Sequence, residues 1–195
     1  MIPINKKLSE AAHYVMPAID DYLATRCLLL NSVFVGLITA HEAVEKLMKA
    51  LLILEEQKIP KSCHKLTLLA KLLFEKDKVK YNFLKKKARM HFIEHLDQNY
   101  GWRYYDGNFK KRSKSRGISE LHPIDNLWIT LYECYMGFLP EEIKFANYLA
   151  SHLFAPNMKN YLNWSELLTT DNRTLNKKKD WEENFNKWYF KYGRI

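Results

Sequence analysis

The sequence contains few of the residues on which β-proteins depend. Its 195 residues include six glycines, six prolines and five valines, against 27 leucines. Tight turns need glycine and proline, and strands favour valine, whereas leucine favours helices. The composition therefore argues against a β-sandwich or a barrel and predicts an all-α protein.

Cysteines and long apolar runs are also scarce. The three cysteines are an odd number and lie far apart, which excludes a disulfide framework and a paired metal-ligand motif. We expect no metal and no cofactor. The longest uncharged run, 27–41, is too short to span a bilayer, and residues 1–10 lack the apolar core of a signal peptide. These features predict a cytoplasmic protein that does not enter a membrane.

Positive charge is concentrated in one segment. The formal net charge is +9, and the stretch 76–116 alone holds thirteen cations and four anions. A local field of this kind attracts polyanions in a salt-dependent way. A solvated lysine face followed by a flexible loop is the alternative interpretation. Aromatic side chains that can stack on unpaired bases accompany the cations: Tyr100, Trp102, Tyr104, Tyr105 and Phe109.

Apolar residues recur at helical spacing along most of the chain. We expect Ser32 and Ser62 to cap the second and third helices, and Pro123 to open the fifth. The loop over 102–121 is the expected mobile element. The predicted helices cover 8–30, 33–57, 64–76, 79–100 and 123–137, with a further helical stretch over 141–154. The predicted core-facing residues of the second, third and fourth helices are Phe34, Leu37, His41, Val44, Met48, Leu51, Leu66, Leu69, Leu73, Leu84, Ala88 and Phe92.

The composition becomes polar and aromatic after residue 155. We therefore divide the chain into a helical bundle, 1–155, and a C-terminal extension, 156–195. The extension is expected to pack on the bundle or on a partner through an aromatic stripe. This stripe belongs to a predicted amphipathic helix over 180–192 and contains Trp181, Phe185 and Trp188.

Three motifs resemble the signature of the HEPN family. The segment His41–Leu52, HEAVEKLMKALL, resembles the family's alanine-glutamate-lysine run that leads to lysine-alanine-leucine-leucine. Cys63–Leu66 resembles its histidine-x-leucine element. Tyr100–Asp106 resembles its tyrosine, then arginine-tyrosine-proline-aspartate element, with Tyr105 in place of the proline. The resemblance extends over most of the predicted bundle and leaves out the C-terminal extension.

The resemblance implies a fold and a setting. The fold is an up-and-down bundle of four to five helices that pairs into a homodimer. The setting is work on RNA or nucleotides, often in toxin–antitoxin, phage-defence or RNA-processing systems and beside a nucleotidyltransferase-like protein. Active HEPN ribonucleases need no metal and use an arginine that is followed, after four to six residues, by a histidine.

Two arginine–histidine pairs have the spacing of that ribonuclease motif: Arg116/His122 and Arg89/His95. Histidine can move a proton at the ribose 2′-hydroxyl or at the leaving oxygen, and arginine can hold the phosphate. Arg89 and His95 lie six positions apart in one predicted helix, so their side chains point in different directions. Arg116 and His122 are therefore the candidate catalytic pair.

A candidate binding site lies beside the second helix. Glu45 flanks its apolar stripe, where a half-buried carboxylate needs a partner, and the resemblance suggests Arg103. His41, on the same stripe, is expected to be a core histidine. We expect a pocket for a nucleotide or phosphate near these side chains. The predicted RNA- or nucleotide-binding residues are Glu45, Lys49, Arg103, Tyr104, Lys110, Lys111 and Arg112.

Three functional hypotheses remain open. The preferred one is an RNA- or nucleotide-binding module that assists a nucleotidyltransferase or another nucleic-acid enzyme. The second is a metal-independent ribonuclease that uses Arg116 and His122 in a dimer cleft. The third is a structural interaction protein whose cationic face keeps it soluble.

Overall fold

The computed structural model describes residues 6–101, 118–144, 149 and 164–192, and this part of the chain contains helices and turns but no strand. The predicted all-α class is therefore confirmed, while the up-and-down order of the bundle stays a prediction. Short 3₁₀ helices cover Asn82–Lys85 and Leu175–Lys177. The α-helices are α1 (Lys6–Leu30), α2 (Val35–Leu54), α3 (Leu66–Lys76), α4 (Lys87–Tyr100), α5 (Ile118–Met136), α6 (Trp164–Thr169) and α7 (Lys179–Tyr192).

Helix α2 is the central helix and packs against α1, α3, α4 and α5. A helix that is surrounded by others must be apolar on most of its circumference, and α2 satisfies this condition with a run of leucines and alanines. The predicted stripe is confirmed for five of its six residues, since Phe34 is only partly buried. The fully buried members are Leu37, His41, Val44, Met48 and Leu51.

Helices α1 and α2 meet at a tight turn. Ser32 has a φ of 56°, in the left-handed region, and the predicted cap at this position is wrong because no side chain caps the start of α2. Gly36 allows the close approach of the two helices. A Cβ atom at Gly36 would lie 2.7 Å from Cγ of Leu29, so any larger residue would displace a core leucine.

The predicted fourth helix is interrupted. Residues 78–81 form a turn, a 3₁₀ helix follows, and α4 begins only at Lys87. The break changes the phase of the apolar pattern, so Ala88, which was expected in the core, is exposed. Ile93 and Leu96 are fully buried instead. The prediction holds for Leu84, because the 3₁₀ helix turns this side chain inward.

Helix α5 begins at Ile118, five residues before its predicted start at Pro123. A proline inside a helix removes one backbone hydrogen bond, but burial of apolar side chains on both sides of it offsets this cost. Leu121 and Ile124 are each 1% exposed. Residues 141–144, predicted to resume a helix, form a turn.

The described part of the C-terminal extension contacts the bundle. Trp181 and Phe185 are buried, and Lys178 pairs with Glu133 of α5. The side chain of Trp188 lies outside the described atoms, and the division of the chain at residue 155 stays a prediction. Within the described residues, no helix combines the length and the apolar character that crossing a membrane requires.

Candidate functional site

Five ionisable side chains from three elements meet beside α2. We call them the acid–base cluster: His41, Glu45, Lys49, His64 and Asp97. The first three are spaced by four residues on α2, so they lie along one face of that helix. His64 belongs to the irregular segment before α3, and Asp97 to α4. The cluster therefore joins three elements that are far apart in sequence.

Asp97 holds the start of α3 in place. Its Oδ1 atom accepts a hydrogen bond from Leu66 N–H at 2.8 Å, and its Oδ2 atom accepts from the N–H and the hydroxyl of Thr67 at 3.1 and 2.9 Å. His41 Nε2 lies 3.2 Å from Oδ1. Burial alone would raise the pKa of Asp97, but the hydrogen bonds from His41, Thr67 and Leu66 outweigh burial and lower the pKa. The predicted cap Ser62 is wrong, because Asp97 supplies the cap from another helix.

Glu45 is nearly buried, and its side chain is only 9% exposed. Lys49 Nζ donates to its Oε1 atom at 2.7 Å, and Nδ1 of His64 lies 3.2 Å from both carboxylate oxygens. An ionised carboxylate only accepts hydrogen bonds, so Nδ1 of His64 carries the donated hydrogen. In the neutral ring, Nε2 of His64 is then the basic nitrogen. The His64 side chain is 52% exposed, so the pair connects a buried carboxylate to the surface.

His41 lies between the two carboxylates and is fully buried. Its Nε2 donates to Asp97, while its Nδ1 lies 3.7 Å from Oε2 of Glu45 and has no hydrogen-bond partner in the described part of the chain. The ring of Tyr100 stacks on His41, with centroids 3.8 Å apart and planes inclined by 12°. The burial of His41 agrees with its expected place in the core. Its Nδ1 atom faces Oε2 of Glu45.

The cluster adjoins the C-terminal end of α4, within the cationic stretch 76–116. Tyr100 stacks on His41, and Gly101 is the last described residue before 102–117, which lie outside the described residues. Glu45 and Lys49 were predicted as binding residues and are brought together, whereas His64, Asp97 and Tyr100 were not predicted for this site. The described partners of Glu45 are Lys49 and His64, so its pairing with Arg103 stays a prediction. The remaining predicted binding residues lie outside the described residues: Arg103, Tyr104, Lys110, Lys111 and Arg112.

Exposed lysines lie at the start of α4. We call them the α4 lysine surface: Lys85, Lys86 and Lys87, all exposed. The first turn of α4 contains no acidic residue, so the positive end of the helix dipole adds to the field of the lysines. Within the described chain, Lys86 and Lys87 form no ion pair. This arrangement is unfavourable for helix stability and favourable for anion binding.

In the described structure, Arg89 and His95 have separate hydrogen-bond partners. Arg89 donates to Asn126 and lies 4.8 Å from the ring centroid of Phe83. Nε2 of His95 lies 3.3 Å from Oε1 of Glu120. Arg89 and His95 thus contact different turns of the same helix, α5, although their spacing predicts side chains that point in different directions. His122 is exposed near the start of α5, and its predicted partner Arg116 lies outside the described residues.

A buried polar network, which the sequence did not predict, attaches the extension to the bundle. Arg26 is fully buried and pairs with Asp125, while its Nε donates to the backbone oxygen of Leu167 at 2.9 Å and its Nη2 to that of Thr170. Burial raises the pKa of Asp125, and the charge and hydrogen bond of Arg26 oppose this shift. Arginine remains charged in proteins, so the network fixes one positive charge in the core.

Aromatic rings extend this network. The Tyr22 hydroxyl donates to Asp125 at 2.6 Å and accepts from Nδ2 of Asn172 at 3.1 Å. Its ring stacks on Trp128, with centroids 4.1 Å apart and nearly parallel planes. Burial raises the pKa of Tyr22 well above its usual value, so its hydroxyl remains a donor at any ordinary pH. These contacts give the network a structural role.

In the described residues, no group of three or more histidine, cysteine, aspartate or glutamate side chains could hold a metal ion. Comparison with models of known protein families, with curated proteins and with solved structures finds no match for this chain.

Proposed function

We propose that the chain is a HEPN-like helical module that binds single-stranded RNA or a nucleotide. The carrying observation is the α4 lysine surface, where exposed lysines lie at the start of a helix that has no acidic residue in its first turn. Such a surface attracts phosphates through both the lysine charges and the helix dipole. The sequence resemblance to HEPN proteins supports the same class of ligand.

The position of the acid–base cluster supports a longer binding surface. The cluster adjoins the end of α4, and the lysine surface adjoins its start, so the two are separated by the length of a 14-residue helix, about 20 Å. The cationic and aromatic residues 102–116 follow α4 directly in the sequence. A strand bound along α4 would place its phosphates near these lysines, and the aromatic residues that follow the helix in the sequence offer rings for its bases, a combination typical of single-strand binding.

The experiment is a titration of labelled single-stranded RNA by fluorescence anisotropy at several salt concentrations. A triple variant, Lys85→Ala, Lys86→Ala and Lys87→Ala, is expected to weaken binding and to reduce the slope of log K against log salt by about 2, since each lost phosphate contact contributes about 0.7. Absence of RNA and nucleotide binding by the unmodified protein at low salt would refute the proposal.

A matched control removes three exposed cations elsewhere in the chain: Lys58→Ala, Arg173→Ala and Lys177→Ala. This variant has the same net charge as the α4 triple variant. It is expected to bind RNA almost as the unmodified protein does. Equal losses in both triple variants would show that affinity follows net charge alone, and the α4 surface would then lose its role.

The alternative is a ribonuclease that uses Arg116 and His122. One observation favours it, namely that His122 is exposed in the second turn of α5. RNA cleavage that His122→Ala abolishes would establish this alternative. The proposed binding module also includes four further expectations. These are a homodimer, a nucleotidyltransferase-like partner, a toxin–antitoxin or defence setting, and a cytoplasmic location. Light scattering tests the homodimer directly.

A further inference from the structure

We propose that His41 is a proton-controlled latch, which holds the end of α4 against α2 while both of its ring nitrogens carry a hydrogen and loosens it when Nδ1 loses its proton. The latch joins His41 and Glu45 on α2 to Asp97 and Tyr100 on α4. It is defined by contacts within the bundle, so it goes beyond the proposed function and does not depend on RNA binding.

The neutral ring of His41 is one hydrogen short of a complete set of contacts. The ring is fully buried, and Nε2 donates to Oδ1 of Asp97 at 3.2 Å. Nδ1 has no hydrogen-bond partner among the described residues, and the acceptor that it faces, Oε2 of Glu45, lies 3.7 Å away. In the neutral ring this nitrogen presents a lone pair to a carboxylate, which also offers only lone pairs. Neutral His41 therefore leaves a buried polar atom unsatisfied, which is costly.

A proton on Nδ1 completes the set of contacts. The protonated ring has two N–H donors, one for each carboxylate, and Nδ1 reaches hydrogen-bond distance if it moves about 0.8 Å towards Oε2 of Glu45. The ring of Tyr100 stacks on His41 with centroids 3.8 Å apart, and an aromatic face attracts a cation. Two carboxylates and an aromatic face thus compensate for the burial of the charge.

The charged groups around His41 come from three elements. On α2, Glu45 faces Nδ1 and pairs with Lys49, one turn further along. On α4, Asp97 faces Nε2, and the hydrogen bonds that outweigh its burial lower its pKa, so this carboxylate stays ionised at neutral pH. From the segment before α3, His64 contacts the same carboxylate of Glu45. Helices α1 and α5 also pack on α2, but within the described chain His41 pairs with the two carboxylates alone.

Loss of the proton acts on the end of α4. Asp97 and Tyr100 lie in the last turn of that helix, and Gly101 follows directly. When Nδ1 loses its proton, the contact with Glu45 is lost, and the attraction of Asp97 and Tyr100 for the ring becomes weaker. A higher pH therefore loosens the last turn of α4 from α2, and a lower pH fastens it. The cationic residues 102–116 come next in the sequence.

The first measurement detects the proton directly in the unmodified protein and needs no variant. Long-range proton–nitrogen NMR reports which ring nitrogens of a histidine carry hydrogens, and nuclear Overhauser contacts with the Tyr100 ring assign the signals of His41. When the pH rises from about 5 to about 8, the range in which histidines change charge, Nδ1 is expected to lose its hydrogen while Nε2 keeps its own. A ring that is neutral throughout this range, or protonated throughout it, would overturn the proposal.

The second measurement follows the end of α4. Hydrogen exchange of the amides at 98–101, corrected for the intrinsic effect of pH on exchange, is expected to become about 10-fold faster over the same range, in keeping with the usual cost of an unsatisfied buried group. Amides at 19–24 in α1 are the internal reference and should not change. An equal acceleration in both segments, or none at 98–101, would contradict the latch.

Glu45→Gln separates the latch from a general effect of pH. The amide group of glutamine can donate a hydrogen to neutral Nδ1 of His41, so exchange at 98–101 should no longer become faster with rising pH in this variant. Only the change with pH is compared, because the variant also alters the contacts with Lys49 and His64. An acceleration that survives Glu45→Gln would count against the proposal.

His64→Gln is the matched control. It removes the other histidine that contacts Glu45 and leaves His41 in place, so the acceleration with pH should survive it. Loss of the acceleration in this variant would assign the pH effect to His64 and overturn the latch. Absence of RNA binding, in contrast, would refute the proposed function and leave the latch intact.

Discussion

Oδ1 of Asp97 accepts a hydrogen bond from Leu66 N–H at 2.8 Å, so a carboxylate on α4 caps α3, 31 residues earlier in the chain. Asp97→Ala removes this cap and also leaves the buried His41 without its partner. We expect the free energy of unfolding to fall by about 2–4 kcal/mol, from the usual values for a lost cap and an unsatisfied buried group. Urea denaturation measures it. Glu94→Ala, at an exposed carboxylate of α4, is the control and should have little effect.

The same carboxylate predicts an acid limit to stability. The pKa of Asp97 is lower in the folded protein than in the unfolded chain, where it is about 4. Its contribution is therefore complete above that pH and is lost as the pH falls through the folded value. Unfolding curves at decreasing pH should show the stability difference between the unmodified protein and Asp97→Asn becoming smaller. A difference that stays constant down to the lowest pH would contradict this assignment.

Arg26 is expected to be essential for attachment of the C-terminal extension. Arg26→Met leaves Asp125 buried without its counter-ion, which costs about 3–5 kcal/mol, and removes the donors for Leu167 and Thr170. Hydrogen exchange over 164–178 should become faster in this variant. Lys187→Met, which breaks an exposed ion pair with Glu183, is the control and should leave exchange unchanged. Unchanged exchange in Arg26→Met would show that other contacts hold the extension.

Two glycines should respond in opposite ways to alanine. In Gly36→Ala the new Cβ would overlap Leu29, and overpacking of this kind costs about 1–3 kcal/mol. Gly101 has helical dihedral angles and open space around it, so Gly101→Ala should be neutral or slightly stabilising. Thermal unfolding of the two variants gives the comparison. Equal effects on Tm would mean that α1 and α2 can separate at little cost.

The cysteines should differ in reactivity. Burial raises the pKa of Cys134 to about 11, so at pH 8 only about one thiol in a thousand is ionised and able to react. Cys27 is exposed, and Cys63 is buried. Iodoacetamide followed by mass spectrometry should modify Cys27 first in the folded protein. All three should react in urea. Early labelling of Cys134 would show that its surroundings open readily.

The fold could be predicted where the apolar pattern is continuous. The stripe through Leu37, Val44 and Leu51 runs without interruption, so its phase and its burial follow from the 3.6-residue period. The pattern fails for α4, because the 3₁₀ helix before Lys87 shifts the phase by an amount that no local signal shows. The exposure of Ala88 is the direct result.

Capping and charge pairing depend on distant partners. Ser62 has the right chemistry for a cap, but its backbone has a φ of 52°. Asp97 accepts the hydrogen bond at the start of α3 instead. The pairing of Glu45 with Lys49 follows from their spacing on one helix, whereas the contact with His64 needs the segment before α3 to fold back. The burial of Arg26 could not be predicted at all, since its counter-ion Asp125 lies 99 residues away and its two backbone acceptors more than 140.

The contact between Arg26 and the extension has a consequence for mutational tolerance. Arg26 contacts only backbone oxygens at Leu167 and Thr170, so this contact places no demand on the side chains at those two positions. Many different side chains could therefore stand at these two positions without loss of the contact with Arg26. Lysine in place of Arg26 would have a single nitrogen to serve three acceptors that lie in different directions, so that position tolerates almost no exchange.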